Sequence, residues 1–241
     1  MKKLLVLSDI HANYPALKAI ENHVDPDRFH RIVNAGDLTV YGTFPNETIE
    51  WFRSRTTSVC IAGNTDRRVL AILEGKPLGK PKKEEKRAMY YWTCDKLLPG
   101  NREYLKSLSE EAVVTVGDLR IRIIHGDFAE EEENSSSPGS PESRFRTMAR
   151  ESPCQAHILG HTHIPFHTII DGVHFINPGS AGRPFDGDPR SSFAILTVSS
   201  GKITVEHFRI PYSVEEVTSG LKNNGLPDIY GEMYRTGRKL N

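Results

Sequence analysis

Residues 2–11, KKLLVLSDIH, hold the pattern that decides the fold: an apolar run, Leu4 to Leu7, gives way at once to Asp9 and His11. Four apolar residues in a row are too few for a helix and match a strand buried on both faces, the kind found inside a parallel sheet. The same succession recurs four times. Residues 32–35 lead into Gly36-Asp37, 59–62 into Gly63-Asn64, 121–124 into His125-Gly126-Asp127, and 158–159 into Gly160-His161-Thr162-His163. Helical patterns fall between and after these runs, at 14–23, 46–55 with Asn46 as N-cap, 66–74, 87–97 and 102–108. Further on, 164–170, 173–177, 192–198 and 203–210 read as antiparallel strands, with tight turns at Asp171-Gly172 and Ser200-Gly201. A βα first half and a sheet-rich second half predict an α/β (α+β) chain with two packed sheets and outer helices.

In open α/β sheets, sites form beyond the carboxyl ends of the strands, so five strands ending in ligand-type residues bring those residues together. Asp9 and His11, like His161 and His163, are two apart. In extended backbone each pair points to one side and can chelate. Seven candidates result: Asp9, His11, Asp37, Asn64, His125, His161 and His163. They exceed what one ion needs and suit two. Nitrogen with carboxylate or amide oxygen, and no thiolate, suits Mn²⁺, Fe, Zn, Ni or Co and fits all-oxygen Ca²⁺ sites poorly; Mn²⁺ is the ion expected here. Two aspartates against two divalent ions leave a positive surplus that a phosphate oxyanion would neutralise, so a small phosphoester is the expected substrate.

Composition narrows the class further. The 241 residues balance 31 Lys+Arg against 31 Asp+Glu, which gives no footprint for extended nucleic acid or an anionic membrane. Three cysteines without a C-x-x-C spacing suggest neither a disulfide framework nor a thiolate zinc site, and fit a cytoplasmic protein. Lys2-Lys3 mimics the start of a signal peptide, but Asp9 interrupts the apolar run, and no stretch approaches the ~18 apolar residues of a membrane span. Two surface loops are expected, a basic one at 76–87 and an acidic, then Ser/Pro/Gly-rich one at 129–142. Residues 1–210 read as the domain and 211–241 as a helical tail, packed on it or at a homo-oligomer interface.

Taken in order, D-x-H (Asp9, His11), GD (Gly36, Asp37), GN-x-D (Gly63, Asn64, Asp66), HGD (His125 to Asp127), GHTH (Gly160 to His163) and NPGS (Asn177 to Ser180) resemble the calcineurin-like metallophosphoesterases. NPGS narrows the resemblance to their small prokaryotic phosphodiesterase-like branch. It implies a four-layer αββα sandwich, two packed mixed β-sheets flanked by helices. It also implies that Asp9, His11, Asp37 and His163 hold one metal and Asp37, Asn64, His125 and His161 the other, with Asp37 bridging. Asp37, Asn64 and His125 carry over as catalytic residues, and the nucleophile would be a metal-bridging hydroxide attacking phosphorus in line.

One position departs from the pattern. Many members carry His directly after the GN asparagine, where it protonates the leaving group or contacts the phosphate; here that position is Thr65. A hydroxyl is a poor proton donor at neutral pH, and lost general acid catalysis costs ~10²–10⁴ in rate. The resemblance therefore points to phosphodiesters, including nucleotide-type ones. Monoester or protein-phosphatase-like hydrolysis and dinucleoside polyphosphate hydrolysis are the alternatives, with a non-enzymatic scaffold of the same fold ranked far lower. Asp66 reads as a helix-start residue and Asn13 and Asp127 as orienting groups. Arg183 and Arg190 read as surface residues, Cys60 as buried and inert, and His23, His30, His157, His167, His174 and His207 as outside the chemistry.

Overall fold

The computed structural model describes residues 1–126 and 136–241. Asp127 and the acidic part of the 129–142 stretch, up to residue 135, lie outside the described residues. The first sheet has the order β10-β9-β1-β2-β3, built from β1 (Lys2–Leu7), β2 (Arg31–Asn34), β3 (Ser58–Cys60), β9 (Ser191–Ser199) and β10 (Lys202–Ile210). β1, β2 and β3 run parallel, and β9 and β10 add antiparallel strands beside β1. The second sheet has the order β4-β5-β6-β8-β7, from β4 (Glu111–Val116), β5 (Leu119–Ile124), β6 (Ala156–Ile158), β7 (Phe166–Ile170) and β8 (Val173–Asn177). Its three central strands are parallel and its edges antiparallel.

Alternation along β1 divides the core. Leu4 and Val6 face Ile121, Ile123, Ile158 and Ile176 of the other sheet, while Leu5 and Leu7 face the helices. That helix layer contains α1 (Tyr14–Val24), α2 (Pro45–Arg53), α3 (Asn64–Leu73), α4 (Glu84–Lys96), α5 (Pro99–Ser107), α7 (Val214–Asn223) and α8 (Asp228–Thr236). On the opposite side, α6 (Glu142–Glu151) places Phe145 and Met148 against Phe175 of β8. The result is the αββα sandwich, two mixed five-stranded sheets inside helices. Tyr230, Met233 and Tyr234 of the tail sit fully in the same core as Leu5 and Leu17.

Several expectations change in detail. α3 begins at Asn64 rather than residue 66, because Gly63 takes the extended cap conformation and the Asp66 carboxylate accepts from its N–H at 3.0 Å. Asn46 is not the cap of α2: Pro45 opens that helix, and the Asn46 amide instead accepts from Leu98 N and donates to Lys96 O, both at 2.9 Å, tying α2 to the α4–α5 link. Residues 84–87, read as loop, form the first turn of α4, where Arg87 donates to Leu78 O at 2.6 Å. β4 and α6 fall in segments read without regular structure. No helix among the described residues is long and apolar enough to cross a membrane.

Candidate metal centre

Asp9 and His11 follow β1, Asp37 follows β2, Asn64 follows β3, His125 follows β5, and His161 and His163 follow β6, and all seven gather beyond these strand ends. Asp9, His11 and His163 offer donor atoms within 4.8 Å of one another, as do Asp9, Asp37 and His125, and all five residues are buried. His11 Nε2 lies 3.1 Å from His163 Nε2, and Asp9 Oδ1 lies 3.3 Å from His163 Nε2. The Asp37 Oδ2 atom sits between the two groups, 3.6 Å from His11 Nε2 and 3.4 Å from His125 Nε2. Asn64 Oδ1 completes the crevice, 3.0 Å from His125 Nε2 and 2.8 Å from His161 Nδ1.

The backbone that achieves this is not extended, contrary to the reading of the two-apart pairs. Asp9, His11, Asp37, His161 and His163 all have φ between 52° and 71°, in the left-handed region that L side chains avoid. Each such residue costs of order 1–3 kcal/mol and persists only when its surroundings hold it. Here the holders are backbone hydrogen bonds between loops. Asp9 N donates to Gly36 O at 3.0 Å, His11 N to Asp37 O at 2.9 Å and Ala12 N to Leu38 O at 2.8 Å, so the first two loops zip together. Asp66 secures the second loop further, accepting from Leu38 N, Thr39 N and Thr39 Oγ1 as well as Gly63 N. Gly63 is required by space: a Cβ there would lie 2.1 Å from Asp37 Oδ1.

The imidazoles are oriented by main-chain carbonyls. Nδ1 of His11 faces Thr39 O at 3.2 Å, Nδ1 of His125 faces Ala35 O at 2.7 Å, and Nδ1 of His163 faces Arg183 O. A carbonyl only accepts, so each Nδ1 carries the proton, and in the neutral ring each Nε2 turns a lone pair into the crevice. The Nε2 atoms of His11 and His163 then face each other at 3.1 Å as two acceptors. Asn64 Oδ1 lies the same way on His125 Nε2, acceptor against acceptor once that ring is neutral. Acceptors converging in this way at a buried point are what a cation requires, so the donor set fits divalent metal. Turning the Asn64 amide over would instead let its nitrogen donate to a neutral His125 and to His161, and its oxygen accept from Arg68 Nη1 at 2.8 Å.

Electrostatics agree for His11 and His163. Burial holds His11 down to about 3 and His163 well below the usual histidine range, so both rings are neutral. At His125 burial also lowers the value, but Asp37 and then Asp9 outweigh it and raise the ring to about 9. Burial pushes Asp9 up to about 7, opposed by His125. Burial acts upward on Asp37 too, yet the charge and hydrogen bond of His125 hold it well below the usual carboxylate range. Without metal, a proton on His125 therefore stands in for part of the missing positive charge.

Other site expectations are corrected. Asn13 does not touch the imidazoles; it caps α1 by accepting from Ala16 N at 3.1 Å and donates to Gly182 O at 2.7 Å. Arg183, expected at the surface, is only 5% exposed because α8 covers it. Its guanidinium lies 3.9 Å over Tyr41 and 5.4 Å from Tyr230, and Nη2 donates to Met233 Sδ at 3.3 Å. Arg190 is the exposed one and pairs with Asp188. Cys60 is half-buried rather than fully so, with its thiol raised to about 12 by burial, which leaves it inert. Thr65 is buried, its hydroxyl donating to Thr39 O at 3.3 Å and its N–H to Asp37 Oδ1 at 2.8 Å. Sequence reasoning missed Ser8, whose hydroxyl donates to Asp9 Oδ2 at 2.7 Å, and Phe185, stacked on the His163 ring at 4.1 Å.

A family model of the calcineurin-like phosphoesterase superfamily domain matches residues 1–201. The chain belongs to that superfamily. Membership implies a metal-dependent phosphoester hydrolase. An uncharacterized protein of Methanocaldococcus jannaschii is 27% identical over 252 residues, which span 98% of each chain. Among solved structures, a metallophosphoesterase from Sphaerobacter thermophilus aligns with TM-score 0.74 and 25% identity, over 98% of this chain and 99% of that one. A hypothetical protein from Pyrococcus horikoshii aligns with TM-score 0.86 at 20% identity, over 99% of this chain and all of the other, and shows the shared fold.

Proposed function

We propose that this phosphoesterase holds two divalent ions, Mn²⁺ by preference, and hydrolyses phosphodiesters, nucleotide-type ones included. The observation that carries the reading is the convergence of seven donors on one crevice, five of them buried, with Asp37 Oδ2 between the His11 and His125 sides. Asp9, His11 and His163 would hold one ion and Asn64, His125 and His161 the other. Asp37, with Oδ2 between His11 and His125, would serve both. When bound, such a pair supplies Lewis-acid charge at phosphorus and lowers the pKa of bound water.

The chain's own residues do the remaining work. The carbonyls of Thr39, Ala35 and Arg183 hold the Nδ1 protons, so the rings are already oriented when the site fills. Thr65 N–H holds the Asp37 carboxylate in register from the side opposite the imidazoles. Because the Thr65 hydroxyl is turned inward to Thr39 O, no side-chain acid from this position meets the leaving group. Leaving groups that depart without a proton are then favoured, which selects diesters with acidic alcohols over alkyl monoesters. The three cysteines are free, in keeping with a reducing, cytoplasmic setting.

The test is Mn²⁺-reconstituted hydrolysis of bis(p-nitrophenyl) phosphate, p-nitrophenyl phosphate and a dinucleoside polyphosphate side by side, with Asp37→Asn as control. Preference for the diester, abolished in the variant, supports the proposal. Preference for either other substrate replaces the diester reading, and no turnover with any metal removes the enzymatic one.

A further inference from the structure

The edge strand β10 of one sheet meets the β7–β8 edge of the other, where three histidines stand together. In the β7–β8 register His167 pairs with Ile176 and Ile169 with His174, so the two histidines are diagonal neighbours on one face. Ile176 belongs to the core between the sheets, and His174, two residues earlier, shares its side. From the other sheet, His207 pairs with Ala194, another member of that core. His167 is exposed and His174 half-buried, so the pair is open to ions from solution.

His167 Nε2 and His174 Nδ1 face each other at 3.0 Å, with the rings stacked at 5.1 Å and 14°. His207 commits its Nε2 to Asn177 O at 2.8 Å and stands near enough to His167 to depress its basicity. Burial lowers both His167 and His174, so both rings are neutral at pH 7, and in the tautomers protonated at His167 Nδ1 and His174 Nε2 the two facing nitrogens both present lone pairs. With metal–nitrogen bonds of about 2.0–2.1 Å, two nitrogens this far apart subtend roughly 95° at a shared ion. That angle is close to the right angle of tetragonal coordination and well short of the tetrahedral one.

We propose that His167 and His174 form a metal site separate from the crevice, taking one Cu²⁺ or Ni²⁺ ion in tetragonal geometry with water in the remaining positions. The three histidines do not close to a single three-ligand group, so His207 borders the site without binding in it. An ion here would clamp β7 to β8. That hairpin follows the 160–163 loop directly and ends at Asn177, whose amide donates to Gly160 O at 2.9 Å and Thr162 Oγ1 at 3.1 Å. Occupancy should therefore stiffen the strands beside the crevice without entering it.

The experiment adds Cu²⁺ to protein whose crevice is first filled with diamagnetic Zn²⁺, and reads bound copper by electron paramagnetic resonance and calorimetry. The expected result is one Cu²⁺ per chain with a tetragonal spectrum split by two nitrogens. Binding should weaken at least tenfold in His167→Ala and in His174→Ala, while both variants keep the wild-type rate on bis(p-nitrophenyl) phosphate. Because the copper signal needs no turnover, it stands or falls independently of the phosphodiesterase reading. No bound copper, or the same spectrum and affinity in both variants, would overturn the proposal and leave the close nitrogens as a hydrogen bond only. His167 is exposed, so its variant folds even if the half-buried His174 position tolerates alanine poorly.

Discussion

Replacing Gly63 with alanine isolates how the crevice is spaced. The residue has φ −88° and ψ −178°, which any amino acid adopts, so the change adds no backbone strain and acts through volume alone. The new Cβ would sit 2.1 Å from Asp37 Oδ1 and 2.3 Å from Asp37 N, where ordinary contact begins at 3.4 Å. About 1.3 Å must be found, and since one of the two obstacles is backbone, the 36–39 loop and the start of α3 have to separate. Overpacking of this kind costs about 1–3 kcal/mol, which in a chain of this size lowers Tm by roughly 2–12 °C. The larger effect is on Asp37. Moved by about 1 Å from its place between His11 and His125, it should cost on the order of 10² in rate. The assay is metal content after Mn²⁺ reconstitution, a thermal melt and diester turnover, with Gly79→Ala as control because nothing lies within 4 Å of a Cβ there. If Gly63→Ala melts with the wild type and keeps full turnover, the close approach of the two loops does not position Asp37 and the reasoning is wrong.

Metal binding should release protons, since His125 stands at about 9 and Asp9 at about 7 before the metal arrives. Calorimetry at pH 7.5 in buffers of different ionisation enthalpy should show about one proton per chain leaving; a buffer-independent enthalpy would contradict the assignment. Thr65→His should raise the monoester-to-diester activity ratio, and an unchanged ratio would mean that position 65 takes no part in leaving-group chemistry. His157 is fully buried and stacked on Phe175, with burial and then Arg122 lowering its value to about 4. The unfolded chain, titrating near 6.5, then binds the extra proton, so this contribution is intact above 6.5 and fades as pH falls toward 4. Urea unfolding at pH 5 and pH 7 should show wild type losing about 2 kcal/mol more than His157→Phe; equal losses would refute the burial argument.

What the sequence made legible was the part that repeats. Each apolar run followed by Asp, Asn or His marked a strand and its ligand together, because strand ends and site coincide in this architecture. The backbone at those ligands could not be read: φ near 50–70° at Asp9, His11 and Asp37 is imposed by hydrogen bonds between loops some 27 residues apart, not by local preference. The groups that set the tautomers were hidden for a related reason. Ala35, Thr39 and Arg183 act through their carbonyls, and a carbonyl has no residue-type signature. Arg183 looked like a surface charge in a Gly/Pro-rich loop because its cover comes from Tyr230 and Met233, some 50 residues further along. α6 escaped notice because the Ser/Pro stretch before it suggested loop, although Phe145 and Met148 at i and i+3 carry the helical spacing.

Elemental analysis of the Mn²⁺-reconstituted, dialysed protein tests the central claim most directly. Seven converging donors with Asp37 between them predict two Mn²⁺ per chain, falling to one or none in Asp37→Asn. Less than one ion per chain in the wild-type protein would contradict the account.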